Sequence, residues 1–114
     1  MHELGIVFSI IKSVKDVARK NNVTSIRSVT LEIGEVSSIV SSYLEDCWKW
    51  AVEKEEMMKG CLLKIETIRA VTICDDCHKT YSTVEFGRQC PNCKSYNTHL
   101  VKGTEVSIKE ISAT

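Results

Sequence analysis

The chain carries four cysteines arranged as two Cys-x-x-Cys pairs, Cys74 with Cys77 and Cys90 with Cys93, with twelve residues between the pairs. Each pair lets one short turn present two thiolates to the same ion, and the second turn completes a tetrahedron. Four thiolates leave no open position for water or substrate on Zn²⁺, so the spacing predicts a structural zinc site whose metal supplies folding free energy. A pair of disulfides and an iron site with the same four thiolates stay open as alternatives.

The amino-terminal residues bear on the cellular compartment of the protein. The amino-terminal residues lack the basic region, apolar core and small-residue cleavage site of a secretory signal. No apolar run approaches the roughly 18 to 20 residues of a membrane span. We therefore expect a cytoplasmic protein with no membrane span, whose thiols stay reduced and can bind metal.

The remaining two cysteines, Cys47 and Cys61, lie in an apolar helical pattern and at a strand start, respectively, which is typical of buried structural cysteines.

The first part of the chain shows a helix followed by a strand. The helix ends near Asn22, and its apolar stripe recurs at intervals of three and four residues. The members of the stripe are Leu4, Val7, Phe8, Ile11, Val14 and Ala18. The next segment alternates with the period of a strand that has one buried face, and Gly34 marks its end. Its predicted buried residues are Val29, Leu31 and Ile33, and its predicted outward residues are Ser28, Thr30 and Glu32.

A second helix and two further strands follow. Ser42 and Glu45 form a capping-box pattern at the start of the helix, and Gly60 is expected to end it. Its apolar stripe comprises Leu44, Cys47, Trp48 and Ala51. The segment 62–73 alternates as one long strand that runs into Cys74, and Val106 and Ile108 belong to a final strand.

This order of elements predicts an α+β fold in which a small three-stranded sheet is packed by two helices. A zinc-ribbon-like four-cysteine module is inserted between the last two strands. We expect residues 1–72 plus 104–114 to form one α/β domain and residues 73–103 to form the zinc-binding module.

A second set of metal donors lies at the amino terminus. The amine of Met1, which the bulky second residue should protect from removal, can bind together with the amide nitrogen and Nδ1 of His2. These donors close adjacent chelate rings on one ion. Ni²⁺ and Cu²⁺ can displace the amide proton and accept a planar set of nitrogens. A fourth position would be taken by the carboxylate or amide of Glu3, or stay open for a ligand from another protein. Such a site exchanges metal quickly, as delivery requires.

The combination of motifs resembles the HypA family of hydrogenase nickel-incorporation proteins. The resemblance rests on the Met1-His2-Glu3 opening, the amphipathic helix after it, the Ile33-Gly34-Glu35 step and the two cysteine pairs, the second of which reads Cys90-Pro91-x-Cys93. It covers essentially the whole chain, in order and at matching length.

The resemblance implies a nickel metallochaperone and not an enzyme. His2 would be the principal nickel ligand, with Met1 and Glu3 beside it, and nickel would be transient cargo while Zn²⁺ is structural. The expected partners are a HypB-type GTPase and the large subunit of [NiFe] hydrogenase, and the sequence leaves a homodimer open. Some family members place an aspartate before the second helix as nickel support, whereas this chain has Val40 there.

The alternative function is a zinc-ribbon module that binds nucleic acid or protein. Cations near the ribbon would form its face: Arg69, Lys79, Arg88, Lys94 and Lys102. However, Asp75, Asp76 and Glu85 interleave with them, and 15 basic and 15 acidic residues cancel. We therefore expect no nucleic-acid partner. His78 could exchange with a thiolate on zinc or remain a turn residue. His99 could reach a nickel ion only if the two lobes or a second subunit bring it near, and it is otherwise a surface residue before the last strand.

Overall fold

The structure, a computed structural model, describes residues 3–113 and has two three-stranded sheets. In chain order the elements are α1 (Glu3–Lys20), β1 (Ile26–Gly34), α2 (Ser41–Val52), a 3-10 helix (Glu56–Met58), β2 (Leu62–Ile68), β3 (Val71–Cys74), β4 (Thr80–Ser82), α3 (Thr83–Phe86), β5 (Thr98–Lys102) and β6 (Val106–Ala113). The predicted α+β class is confirmed. None of the helices in the described part of the chain is long and apolar enough to cross a membrane.

The described residues divide into two compact units. The first unit contains residues 3–32, 39–66 and 107–113, and the second contains residues 33–38 and 67–106. The first sheet has the order β2-β1-β6, so the predicted three-stranded sheet exists, with β1 at its centre. The segment that carries the four cysteines lies between β2 and β6 in the sequence, as predicted.

The apolar side chains of the first unit come from both helices and the central strand. α1 packs against α2. The largest fully buried side chains here are Trp48, Leu31, Leu44, Met58, Val7, Val14 and Val29. The Trp48 indole N–H donates to the Cys61 carbonyl at 3.0 Å. This bond gives the one polar group of the Trp48 side chain a hydrogen-bond partner in the core.

Two details of the predicted burial are wrong. Leu4 and Phe8 are 41% and 47% exposed, and Ile10 is buried instead, because the buried stripe of α1 is rotated away from them. The Phe8 ring meets the exposed Trp50 ring edge to face, with centroids 6.3 Å apart. Ser28 and Thr30 are buried although their alternation predicted a solvent face. Both sets of alternating residues in the central strand are therefore covered.

The predicted ends of α2 also need correction. The helix begins at Ser41 with Val40 as its N-cap, and no side chain at the N-cap accepts a hydrogen bond from the helix. The capping box at Ser42 is therefore wrong. The helix ends at Val52 and not near Gly60, because the charged segment after it turns into the 3-10 helix. Gly60 lies beyond that turn with φ +74°.

The long strand predicted for residues 62–73 is two strands in two different sheets, β2 and β3. The break at residues 69–70 is held by Glu35. Its backbone N–H donates to the Ile68 carbonyl at 2.8 Å, and its carboxylate accepts the Ala70 N–H at 2.9 Å. These contacts take up the backbone groups that a continuous strand would give to its neighbours.

The second sheet has the order β4-β3-β5, and β3 is antiparallel to both neighbours. Ile73 pairs with Thr80 on one side and with His99 on the other, and Cys74 pairs with Thr98. The central strand therefore ends on the first cysteine of the cluster. No pattern in the sequence predicted β4, α3 or β5, which contain three, four and five residues.

Candidate metal centres

The first cysteine pair lies on a turn closed by its own backbone. The His78 N–H donates to the Cys74 carbonyl at 2.8 Å, and the Cys74 N–H donates to the Lys79 carbonyl at 2.9 Å. His78 has φ +63°, in the left-handed region that a non-glycine residue seldom adopts. This conformation reverses the chain directly after Cys77, so both sulfurs of the pair face the same point.

The second cysteine pair repeats this geometry. The Lys94 N–H donates to the Cys90 carbonyl at 2.9 Å, and the Cys90 N–H donates to the Ser95 carbonyl at 2.9 Å. Lys94 has φ +66°, which matches His78 in the first turn. Two equivalent turns therefore present two sulfurs each.

The four sulfurs come together in one cluster. Cys74 Sγ lies 3.5 Å from Cys93 Sγ, and Cys77 Sγ lies 3.6 Å from Cys90 Sγ. All four sulfur atoms lie within 4.8 Å of one another. A zinc ion with Zn–S bonds of about 2.3 Å separates its tetrahedral sulfurs by about 3.8 Å, so the donor set fits a four-thiolate metal site. All six cysteines are free thiols, which does not support the disulfide alternative.

The local hydrogen bonds make the thiols unequal. The backbone N–H of Lys79 and the side chain of Asn92 lower the pKa of Cys77 to about 6. The backbone N–H of Ser95 lowers the pKa of Cys93, but the contact with Cys74, the loss of solvent around the thiol and the contact with Cys90 outweigh it and raise that pKa to about 12. Crowded sulfurs resist carrying several negative charges, and a divalent cation at their centre removes this resistance.

A polar bridge that sequence reasoning missed joins the two turns. The Asp76 carboxylate accepts hydrogen bonds from the Ser95 hydroxyl and, at 3.3 Å, from the Asn97 side chain. The Asp75 N–H also donates to the Asn97 carbonyl at 2.8 Å. The Ser95 and Asn97 bonds lower the pKa of Asp76, so it stays ionised and keeps the bridge. Nothing in the cysteine spacing pointed to these residues.

The two histidines of the second unit lie outside the sulfur cluster. Among residues 3–113, the four cysteines are the one group of three or more potential metal-ligating side chains whose donor atoms lie close together. His78 is exposed on the first turn, and exchange with a thiolate stays a prediction. His99, interpreted from the sequence as a surface residue before the last strand, is 61% exposed on β5, and its Nδ1 lies 3.0 Å from the Asp75 carboxylate.

The amino-terminal donors fall partly outside the described residues. Met1 and His2 are not among residues 3–113, whereas Glu3 is the first residue of α1 and is 6% exposed. Its Oε2 accepts the backbone N–H of Val40 at 3.2 Å, and this bond is the main cause of the lowered pKa of Glu3. The Glu3 carboxylate therefore contacts the backbone of Val40, the N-cap residue of α2.

The described metal site, the fold and the opening residues agree with one protein family. A family model described as hydrogenase/urease nickel incorporation, metallochaperone, hypA matches residues 1–113. The chain belongs to the HypA family. The hydrogenase maturation factor HypA of Albidiferax ferrireducens is 31% identical over 111 residues, 97% of each chain. The hydrogenase maturation factor HybF of Proteus vulgaris is 33% identical over 97% of each chain.

Solved structures agree with this assignment to the HypA family. The solution structure of the Ni metallochaperone HypA from Helicobacter pylori is similar with a TM-score of 0.74 and 25% identity, covering 99% of this chain and 97% of the other. A second HypA solution structure gives a TM-score of 0.77 at 25% identity, and the match covers 100% of this chain and 97% of the other. The chain is therefore a HypA-family nickel metallochaperone of hydrogenase maturation, a non-catalytic role.

Proposed function

We propose that the chain carries Ni²⁺ on its amino-terminal residues and delivers it to the large subunit of [NiFe] hydrogenase. His2 is the principal ligand through its amide nitrogen and Nδ1, and the Met1 amine is the neighbouring donor. The observation that supports this proposal most directly is the family match over residues 1–113, which includes the Met-His-Glu opening. A nitrogen donor set that includes a deprotonated amide suits Ni²⁺ better than Zn²⁺, which gains nothing from planarity.

Zinc is the proposed resident ion of the cluster formed by Cys74, Cys77, Cys90 and Cys93. Four thiolates fill its coordination sphere, so its contribution is to the folding of the second unit and not to chemistry. The sulfur spacing described above supports this assignment, and it also separates the two metals by donor type. Sulfur donors hold the structural ion, and nitrogen donors hold the cargo.

Transfer of nickel needs a coordination position that a recipient can enter. The first turn of α2, next to Glu3, contains no acidic residue. Val40, which replaces the aspartate of some relatives, has no donor side chain. These observations support an open position that a ligand from a partner can fill during exchange. The proposed partners are a HypB-type GTPase and the hydrogenase large subunit, and a homodimer is the oligomer to test.

The two proposed metal sites define two functional regions. Residues 1–72 plus 104–114 are the proposed nickel-binding domain, and residues 73–103 are the proposed zinc-binding module. A cytoplasmic location fits four cysteines that must stay reduced to bind zinc.

The direct test is a calorimetric titration of the zinc-loaded protein with NiCl₂, with metal analysis before and after. The comparison variant is His2→Gln, and the matched controls are His78→Gln and His99→Gln, which remove the other two imidazoles. We expect the wild type and both controls to bind nickel, and we expect His2→Gln to lose this binding while keeping zinc. Equal nickel binding by His2→Gln and the wild type would refute the amino-terminal site.

The cellular counterpart measures hydrogenase activity in cells that lack the native protein, grown at low nickel. His2→Gln should fail to restore activity where the wild type restores it, and added nickel should partly compensate. Full restoration at low nickel by the variant would show that delivery does not pass through His2.

A further inference from the structure

The two cysteine turns are joined by hydrogen bonds that involve no sulfur atom. Asp76, between the cysteines of the first turn, accepts hydrogen bonds from the Ser95 hydroxyl and, at 3.3 Å, from the Asn97 side-chain amide. The Asp75 N–H donates to the Asn97 carbonyl at 2.8 Å. These three bonds form a bridge between the first turn and residues 95–97, and none of them requires a bound ion.

Ser95 connects this bridge to the sulfur donors of the second turn. Its carbonyl accepts the Cys90 N–H at 2.9 Å, and its backbone N–H donates to the Cys93 sulfur. Its hydroxyl donates to Asp76 and accepts the Asn97 N–H, the latter at 2.9 Å. The backbone of Ser95 therefore holds the second turn while its side chain holds the first.

The chain between the two turns does not by itself keep their sulfurs together. Twelve residues separate Cys77 from Cys90, and bringing the ends of such a segment together costs conformational entropy. This ordering opposes metal binding unless other contacts already hold the ends in place. Hydrogen bonds to a carboxylate are stronger than those between neutral groups, so the bridge at Asp76 is suited to hold them.

We propose that Asp76 is a positioning residue for the metal: by holding Ser95 and Asn97 it keeps the two cysteine turns together and slows the loss of the ion from the four sulfurs. Among residues 3–113, the close group of metal-ligating atoms consists of the cysteine sulfurs, so Asp76 acts through the turns and not as a ligand. This inference rests on the proposed zinc assignment, because it concerns the retention of that ion.

Asp75 provides a matched control, because the two aspartates are neighbours in the same turn. The Asp75 carboxylate contacts the exposed His99 ring, with its oxygen 3.0 Å from Nδ1, and exposed pairs of this kind contribute little to stability. Asp75→Ala and Asp76→Ala remove the same charge from beside the cluster, but Asp76→Ala also removes the side-chain bonds of the bridge. We expect zinc-loaded full-length Asp76→Ala to transfer zinc to excess pyridylazoresorcinol about fivefold faster than the wild type. Asp75→Ala should stay within about twofold of the wild-type rate.

The same bridge can be weakened from its other end. Ser95→Ala removes the hydroxyl and keeps both backbone groups, so it should accelerate zinc transfer about threefold in the wild-type background. In the Asp76→Ala background its acceptor is already absent, and the added effect should be less than about twofold, because the two ends of one hydrogen bond are not additive. Equal effects of Ser95→Ala in both backgrounds would contradict the coupling of Ser95 to Asp76 and overturn the inference.

Two spectroscopic measurements separate positioning from other effects of Asp76→Ala. In the zinc-loaded protein, the Asp75 amide bonds across to Asn97, so it should exchange faster in Asp76→Ala than in the wild type. Amide exchange in β3 and β4 should be unchanged, which a general loosening of the sheet would not produce. With Co²⁺ in place of zinc, every variant should keep the absorption spectrum of an ion bound by four thiolates.

Three results would count against the positioning role of Asp76. Equal rates of zinc transfer from Asp76→Ala and Asp75→Ala would overturn it, because the loss of charge alone would then account for the change. An altered cobalt spectrum in Asp76→Ala would overturn it as well, since Asp76 would then change the ligand set itself. Faster exchange throughout β3 and β4 would identify a general structural role instead. Failure of the proposed zinc assignment is seen separately, as a wild-type chain that retains no zinc.

Discussion

Gly34 is the position at which adding a single methyl group should damage the fold most. A Cβ atom there would lie 2.0 Å from the Gly103 oxygen, 2.1 Å from the Gly103 carbonyl carbon and 2.6 Å from the Thr104 nitrogen. Non-bonded heavy atoms rest about 3.5 to 4.0 Å apart, so the backbone segments must separate by about 1.5 Å. Gly103 cannot retreat, because it rests against Ala70, which is 1% exposed.

The cost of Gly34→Ala follows from the bonds that hold these segments together. The Gly34 N–H donates to the Glu105 carbonyl at 2.7 Å, and the Val36 N–H donates to the Gly103 carbonyl at 2.9 Å. A displacement of about 1.5 Å breaks both bonds, at about 1 kcal/mol each, and overpacking adds about 1 to 2 kcal/mol. Alanine also lowers the conformational entropy of the unfolded chain, which stabilises the folded state by about 0.5 kcal/mol. We therefore expect the free energy of unfolding to fall by about 3 kcal/mol, which lowers the midpoint temperature of thermal unfolding by about 12 °C in a domain of this size.

The assay is thermal unfolding of the zinc-loaded protein followed by far-ultraviolet circular dichroism, with zinc content measured beforehand. The matched control is Gly5→Ala, the same substitution on the exposed side of α1, where an added Cβ meets nothing within 4 Å. Alanine is the better helix former by about 1 kcal/mol, so Gly5→Ala should raise the midpoint by about 4 °C. A Gly34→Ala midpoint within about 3 °C of the wild type would refute the steric argument, as would an equal fall in both variants.

Four further predictions test the cluster and the core of the first unit. Cys90→Ser removes one sulfur donor, so zinc content should fall and amide exchange in β3, β4 and β5 should accelerate; unchanged exchange with zinc absent would show that the metal does not support this sheet. Burial raises the pKa of Cys61 from 9.0 to about 11, so iodoacetamide at pH 8 should modify Cys47 well before Cys61, as measured by peptide mass spectrometry. Between pH 9.0 and about 11 the unfolded chain loses the Cys61 proton first, so stability falls as pH rises, and Cys61→Ala should flatten that slope. Trp48→Phe leaves the Cys61 carbonyl without its donor and should cost about 2 kcal/mol, whereas Trp50→Phe at a 53% exposed position should cost under about 1 kcal/mol; equal costs would contradict the assigned hydrogen bond.

The elements that the sequence predicted correctly are those whose signal is repeated along the chain. α1 has 18 residues and α2 has 12, and both show a helical period over several turns. The final strand was also identified, from the alternation that begins at Val106. The strands of the second sheet have three to five residues, which is too short for an alternating pattern to be distinguished from chance.

The break between β2 and β3 shows a different limit. The residues on both sides alternate as one strand would, and no glycine or proline marks the change. The chain leaves the first sheet there because Glu35, 35 residues earlier, bonds to the Ala70 N–H. A contact at that separation has no trace in a local pattern, so periodicity could only predict continuity.

The same distinction separates the four-cysteine cluster from the proposed amino-terminal site. Each cysteine turn closes its own hydrogen bonds within six residues, so the spacing of Cys74, Cys77, Cys90 and Cys93 was enough to predict that their sulfurs meet. The surroundings of Glu3, the first residue of α1, depend instead on a bond from the backbone N–H of Val40, 37 residues along the chain. Substitution of Glu3 or Val40 should therefore leave the metal content of the four-cysteine cluster unchanged, whereas substitutions of the cysteines within the two turns should lower it.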